Sequence, residues 1–319
     1  MPFTYVLVSD YIVLILRFFH DFATAIYGTV AMVIIMDISG EKKGQLVGTY
    51  GSAGLIGGLI AAPLSGWLLN YLGEGSPSIS VYKSMYIIIG VIGSMTILLS
   101  VLLWNRIPSK KSSEPVTIQA VYRKFRHDVW TVLKDSQVLL TSSMEGVQNL
   151  TVGALEAFLP IYVVSTLGLT SFHAGVLWGA QLIILAFARP IMGRISDQKG
   201  RKIVITSGMI ICMLTFILYP YITSFLNLLL ITAVFGLGES MVTSSTAALV
   251  AEQTKSSGYG TSMGVFGSLW DIGHASGPIL TGLLLTNLSY NQTFFIISII
   301  LLFATVLFQI KVREPKTII

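Results

Sequence analysis

The 319-residue sequence predicts an all-α membrane protein, a bundle of about nine transmembrane helices. Three observations carry that prediction. Hydrophobic residues make up 53% of the chain and charged residues only 11%, whereas a soluble domain carries about 25% charged residues. The apolar residues gather into runs of about 20, the length a helix needs to cross hydrocarbon with every peptide group bonded internally. Lysines and arginines sit almost entirely between those runs. The same composition excludes a disordered chain, and the single cysteine excludes a disulfide scaffold or a multi-cysteine metal site.

In chain order the runs lie near 11–36, 45–71, 82–105, 137–164, 172–192, 203–221, 225–250, 258–286 and 293–310. The first carries three ionisable residues, Arg17, His20 and Asp21. The second is rich in glycine, and the third is almost uniformly apolar. The fourth bears a polar stripe; the fifth and sixth flank a basic turn; the seventh holds Gly236 and Gly238. Glycine and proline recur in the eighth, and the ninth is plainly apolar. The stretch before Tyr11 lacks a basic leader and a small-residue cleavage site, so no signal peptide is expected.

Loop charge sets the expected orientation. With the N-terminus outside, the segments 37–44, 106–136, 189–202, 251–257 and the tail from Lys311 face the cytoplasm, and of the 20 lysines and arginines only Lys83 and Arg17 fall elsewhere. The organisation expected is a truncated N-terminal bundle of about three spans (1–105), a basic central loop (106–136), a six-helix bundle (137–311) and a cytoplasmic tail (312–319). Within the loop, 122–134 is either an amphipathic helix on anionic headgroups or a solvated linker.

Two spans resemble each other. GLIAAPLSGWLL, with Gly58, Pro63 and Gly66, resembles GVFGSLWDIGHASGPILTGLLL, with Gly264, Gly273, Gly277, Pro278 and Gly282, the two prolines lying 215 positions apart (278 less 63). Small residues let helices approach closely, and proline beside glycine permits a bend. Repeated helix bundles build many secondary transporters. At that offset the loop starting at Gly193 has its counterpart at position −22, upstream of Met1. The expectation is a two-fold repeat lacking about half of its first unit, through an internal start or a shortened product.

The loop GRISDQKGRK resembles the G-x-L-A-D-R-x-G-R-K signature of the major facilitator superfamily: Gly193, Asp197, Gly200, Arg201 and Lys202 match, and Gln198 replaces an arginine. The two glycine-proline segments resemble that family's fifth- and eleventh-helix motifs, with Ala62 and Trp67 where the first has glycines. Arg17 in ILRFFHDF resembles the fourth-helix arginine motif, with Asp21 in place of glycine. The resemblance implies helices four to twelve of a twelve-helix fold, a gating role for the loop motif and a functional Arg17.

Ionisable residues inside spans mark pathway candidates, because each costs about 2.5–3.5 kcal/mol at bilayer centre on insertion scales. Arg17 and Asp21, one turn apart, either pair or line the translocation path. Thr141, Glu145, Gln148, Asn149 and Glu156 share one helical face; two carboxylates there favour a wet cavity over helix–helix bonding, although Glu145 is placed to snorkel. Asp271 and His274, also a turn apart, either relay a proton or lock two helices. Glu239 and Gln181 are further candidates. In the loop motif, Asp197 is expected to accept from a helix N-terminus and Arg201 and Lys202 to meet carboxylates, forming a cytoplasmic latch; the alternative is anchorage at headgroups.

No phosphate-binding G-x-x-x-x-G-K-[ST], H-E-x-x-H or G-x-S-x-G motif occurs, and His20, His173 and His274 are scattered. The sequence is thus expected to need no cofactor or metal and to be no enzyme. Its expected partners are the lipid bilayer, a small-molecule substrate and protons, with no nucleic acid, as a monomer in the cell membrane. The function expected is secondary active transport of a small solute by alternating access, proton-coupled and directed toward efflux. The alternatives are a non-transporting fragment with a misassigned start, and an integral-membrane enzyme.

Overall fold

Hydrocarbon offers the backbone no hydrogen-bond partners, so a chain this apolar has to satisfy its peptide groups within helices. The computed structural model is accordingly helical, with no strand among the described residues. Those residues are 2–7, 12–38, 43–73, 78–103, 123, 126, 129–254 and 259–314. Lys42, Arg106, Lys110, Lys111, Lys124, Lys255, Lys316 and the side chain of Asp21 lie outside them, as does most of the central loop.

The helices are α1 (Pro2–Leu7), α2 (Ile12–Ile38), α3 (Lys43–Leu72), α4 (Ile79–Leu103), α5 (Ser136–Ile161), α6 (Ser171–Lys199), α7 (Arg201–Leu218), α8 (Phe225–Gln253), α9 (Tyr259–Leu285) and α10 (Tyr290–Lys311). Leaving out the short α1, nine helices of 18 residues or more stand, among the described residues, where nine runs were expected. Among the described residues six stretches, Ile79–Leu102, Ser136–Thr166, Ser171–Lys199, Arg201–Tyr221, Phe225–Gln253 and Tyr290–Lys311, are long and apolar enough to cross a membrane, and Ile56–Leu72 is a shorter apolar one. Two expectations fail at helix ends. The segment 189–202 was expected as a loop, yet α6 stays helical to Lys199, carrying Pro190 inside it; Arg194, Gln198 and Lys199 are good helix formers, and Asp197 pairs with Arg201 one turn on. Likewise α8 runs past Val250 to Gln253, which puts Glu252 beside Arg201.

The chain forms two compact units, Met1–Pro115 with Thr170–Phe172, and Val116–Leu169 with His173–Ile319. In the first, α1 packs on α4: Tyr5 stacks on Tyr86 at 4.9 Å between ring centroids, and the Phe3 ring covers Gly90. Tyr5 Oη also lies 3.3 Å from His20 Nδ1 of α2. α3 continues as a helix through Pro63.

The second unit is built on backbone proximity. α5 packs most extensively on α9, and α7 on α8. A Cβ on Gly273 would meet the Gly146 carbonyl, one on Gly277 the Leu150 carbonyl, and one on Gly153 the His274 carbonyl. Carbonyl oxygens therefore seat directly on glycines along the α5–α9 seam, which is the close approach small residues allow in membranes. Gly208 and Gly238 do the same between α7 and α8, each reaching the other's carbonyl at 2.7–3.0 Å from an added Cβ. At one end Phe216 stacks on Phe294 at 4.4 Å, and Tyr219 Oη bonds Thr232 Oγ1 at 3.1 Å. Beyond α5 the helix widens into a π turn at Tyr162–Thr166 before Gly168, whose φ is +67°.

Candidate functional site

The polar face of α5 is turned inward. Glu145 and Gln148 are 0% exposed and Asn149 is 1%. Glu145 Oε2 accepts from Thr246 Oγ1 of α8 at 2.6 Å, and its Oε1 accepts from Asn149 Nδ2 at 3.3 Å. Thr141 Oγ1 donates to Gln253 Oε1 at 2.9 Å, tying the start of α5 to the end of α8. Glu145 was placed to snorkel, but the structure buries it: its partners lie inside the unit, on α8 and one turn along its own helix. Thr246 and Asn149 serve Glu145, and His274 serves Glu156.

Across from this face, Gln181 Nε2 of α6 donates to Glu239 Oε2 of α8 at 2.8 Å, bringing two of the candidates together. Gly236 permits this approach, since a Cβ there would lie 3.0 Å from the Gln181 carbonyl. Arg189, assigned from sequence to a basic loop, stands within α6, and its charge acts on both Glu145 and Glu239. The positive-inside pattern drew it into the loop. No spacing within one helix signals its place beside acids on two others.

Glu156, seven and eleven residues beyond Asn149 and Glu145, reaches the half-exposed rim. Its Oε2 lies 2.9 Å from His274 Nε2 of α9. His274 stacks on Trp270, one turn earlier, with ring centroids 5.3 Å apart and planes 3° from parallel. His274 therefore bonds Glu156, not Asp271 as the spacing suggested; Asp271 is exposed. Both residues sit on one helix face, but the α5–α9 seam brings Glu156 to the ring from across it. Arg17 belongs to the other unit and is exposed.

The loop motif ties four elements of the second unit together. Gly200 turns the chain between α6 and α7 with φ +99°, a conformation open to glycine. Arg201 pairs with Asp197, donates Nη1 to Ser196 Oγ at 3.2 Å, and sends Nε and Nη2 to Glu252 Oε1 at 3.0 and 2.8 Å. The carboxylate at the N-terminus of α7 is Glu314, which accepts from the backbone N–H of Arg201 and, at 3.4 Å, of Lys202. Asp197 was expected to accept from a helix N-terminus, and Lys202 to meet a carboxylate. Asp197 is held by Arg201 instead, and Lys202 Nζ donates to the Val312 carbonyl at 2.8 Å. Gln137 of α5 clasps the same tail, donating to the Lys311 carbonyl and accepting from Arg313 N at 2.8 Å. Gly193 meets open space, so only Gly200 among the motif glycines has a geometric reason to be glycine.

No group of three or more metal-ligating side chains occurs among the described residues. The arrangement offers acids and amides shielded from solvent, a half-buried guanidinium, an acid–imidazole pair at the rim, and a cross-braced turn.

The family model of the Major Facilitator Superfamily matches residues 1–226 and 150–318. The chain belongs to the major facilitator superfamily. It is a multi-pass membrane protein of a transporter family, with the all-α fold expected of it. Among relatives of this superfamily chain is a multidrug resistance protein MdtG of Serratia proteamaculans (strain 568), 32% identical over 168 residues, 50% of this chain and 40% of that protein. Another is the synaptic vesicular amine transporter of Homo sapiens, 24% identical over 281 residues, 86% of this chain and 51% of that one. The chain thus spans about half or less of the length of these curated relatives. Among solved structures it resembles a bacterial homolog to the human lysosomal transporter Spinster, in an inward-facing and occupied conformation. The TM-score is 0.64 at 15% identity, over 88% of this chain and 72% of that one. At that identity the likeness concerns the fold.

Proposed function

We propose that the chain serves secondary active transport of a small solute by alternating access, coupled to protons and directed toward efflux. The observation that carries this is the set of ionisable side chains inside the spanning helices of the second unit: Glu145, Arg189, Glu239, Glu156 and His274. Each is costly in a bilayer, and such residues mark substrate and proton pathways. Resemblance to a protein named for multidrug resistance and to an amine transporter supports a small organic solute and an outward direction. Glu156, His274 and Asp271 form the proton- and substrate-facing rim, and Glu145, Asn149, Gln181 and Glu239 line the inner path of the second unit; Arg17 and Asp21 are the pathway candidates that the first unit carries by itself. Residues 1–105 form an N-terminal bundle and 137–311 a six-helix bundle, joined through 106–136. The protein is a monomer of the cell membrane with its N-terminus outside and C-terminus in the cytoplasm, consistent with the basic loops. Gly58, Pro63, Gly66, Gly273, Gly277 and Pro278 permit the tilting, while Asp197, Gly200, Arg201 and Lys202 latch the cytoplasmic side.

The test is transport of a solute found by screening, into or out of proteoliposomes under an imposed pH gradient. Glu156→Gln and Asp271→Asn are expected to cut gradient-driven flux at least tenfold. Concentrative transport that survives collapse of every ion gradient overturns the coupling.

A further inference from the structure

Ahead of α5, residues 123, 126 and 129–134 are helical and lie outside the spanning stretches. They do not run straight into α5. Asp135 between them is extended, with φ −79° and ψ 98°, and its carboxylate caps α5 by accepting from the backbone N–H groups of Gln137 and Val138. Val132 holds the bent segment against the second unit. It is 8% exposed and packs with Val138 of α5, Val250 of α8 and Val265 of α9.

The side away from Val132 is of another kind. Trp130 is 61% exposed, and Arg123, Arg126, Leu133 and Lys134 are exposed with it. At helical spacing, positions 123, 126, 130 and 134 fall within about 80° of arc, with 132 opposite them. Lys134 Nζ stands 5.7 Å from the centre of the Trp130 ring. Asp128 is the single acid between Arg123 and Lys134 in sequence, and it falls outside that spacing. Three cations flanking an exposed indole add nothing to the packing of the bundle. Beside the end of a spanning helix they match the composition of an interfacial anchor: the ring lies among lipid headgroups and the cations meet phosphates. A soluble acidic macromolecule matches the charge alone and leaves the tryptophan without a reason.

We propose that Arg123, Arg126, Trp130 and Lys134 form a docking face for anionic phospholipid headgroups in the leaflet at the N-terminal end of α5. Of the two readings open for this part of the central loop, it is the one that places the segment on the bilayer. Val132 fixes the face on the second unit, so lipid held there bears directly on the start of α5 and the ends of α8 and α9. The proposal is independent of the transport reading; only the naming of that leaflet as cytoplasmic rests on the proposed orientation.

The full chain in phosphatidylcholine nanodiscs tests this, with Trp130 read as the difference in fluorescence between the parent and Trp130→Phe. The discs carry the same mole fraction of either brominated phosphatidylglycerol or brominated phosphatidylcholine. Trp130 is expected to be quenched by both, and at least about twofold more by the anionic lipid, a preference that high salt removes. The triple variant Arg123→Gln, Arg126→Gln, Lys134→Gln is expected to lose the preference, by about fivefold at most for each cation. The double variant Arg123→Lys, Arg126→Lys is expected to keep it. Equal quenching of the parent by both lipids, or a preference that survives the glutamine variant, overturns the proposal. Trp130 left unquenched by either lipid also overturns it, and a shift of its emission on adding polyglutamate then assigns the face to a soluble acidic partner.

Discussion

The α5–α9 seam makes a signed prediction about two glycines of one helix. Gly264 and Gly273 both lie within α9. A Cβ on Gly264 meets nothing within 4 Å, whereas one on Gly273 runs into the Gly146 carbonyl, carbon and Cα. Gly264→Ala therefore gains only the helix-propensity term, a stabilisation of about 0.5–1 kcal/mol. Gly273→Ala gains the same term but must push two backbones apart, and no side chain can rotate aside to relieve it. Overpacking costs about 1–3 kcal/mol, and a backbone obstacle belongs at the upper end, so the net loss is about 2 kcal/mol. That is about a 30-fold fall in the folded-to-unfolded ratio. Reversible unfolding in mixed micelles or bicelles, followed by far-UV circular dichroism and by fluorescence, measures both variants against the parent. If Gly273→Ala matches or exceeds the parent, carbonyl-on-glycine contact is not what sets this seam.

Other outcomes follow from the rim and the turn. Gly200→Ala is expected to lower the thermal midpoint, because its φ of +99° is strained for alanine and the new Cβ lies 3.1 Å from Glu314 Oε2, whereas Gly193→Ala, within α6 and in open space, raises it slightly. Glu314→Ala removes the acceptor at the N-terminus of α7 and should cost about 0.5–1 kcal/mol, read in the same unfolding assay; an unchanged midpoint at low salt refutes it. A double-mutant cycle on Glu156→Gln and His274→Gln is expected to return a coupling of about 0.5–1 kcal/mol, modest because both side chains are partly solvated. Thr246→Val leaves Glu145 Oε2 without its 2.6 Å donor and should destabilise the second unit by about 1–3 kcal/mol.

The helices were legible in the sequence because length and apolarity are local properties. Runs of about 20 apolar residues have one structural solution in hydrocarbon, and each of the nine appears as a helix. Helix ends were less legible at 189–202, where basic residues speak for both a loop and an amphiphilic helix end. The α5 stripe was visible because 3.6-residue periodicity sorts Thr141, Glu145, Gln148 and Asn149 onto one face. Which partner each residue takes was not visible. His274 has Asp271 beside it in sequence and Glu156 beside it in space, and Glu314 lies 113 positions from the Arg201 N–H it accepts. Arg189 was the costliest omission, for the charge rule that located the loops also absorbed it. Such pairings depend on how helices are seated, and short-range pattern carries no record of that.

Where oxygen atoms rest in glycine notches, α5 and α9 have no rotamers to exchange and cannot slide past each other without first separating. Any swing of this half must carry them as one rigid lever, with the pivot pushed outward to where the main chain is already relaxed. The widened turn at Tyr162–Thr166 and the left-handed Gly168 that follows it are such a pivot. Stiffening that joint would restrict bending there while leaving the α5–α9 seam intact.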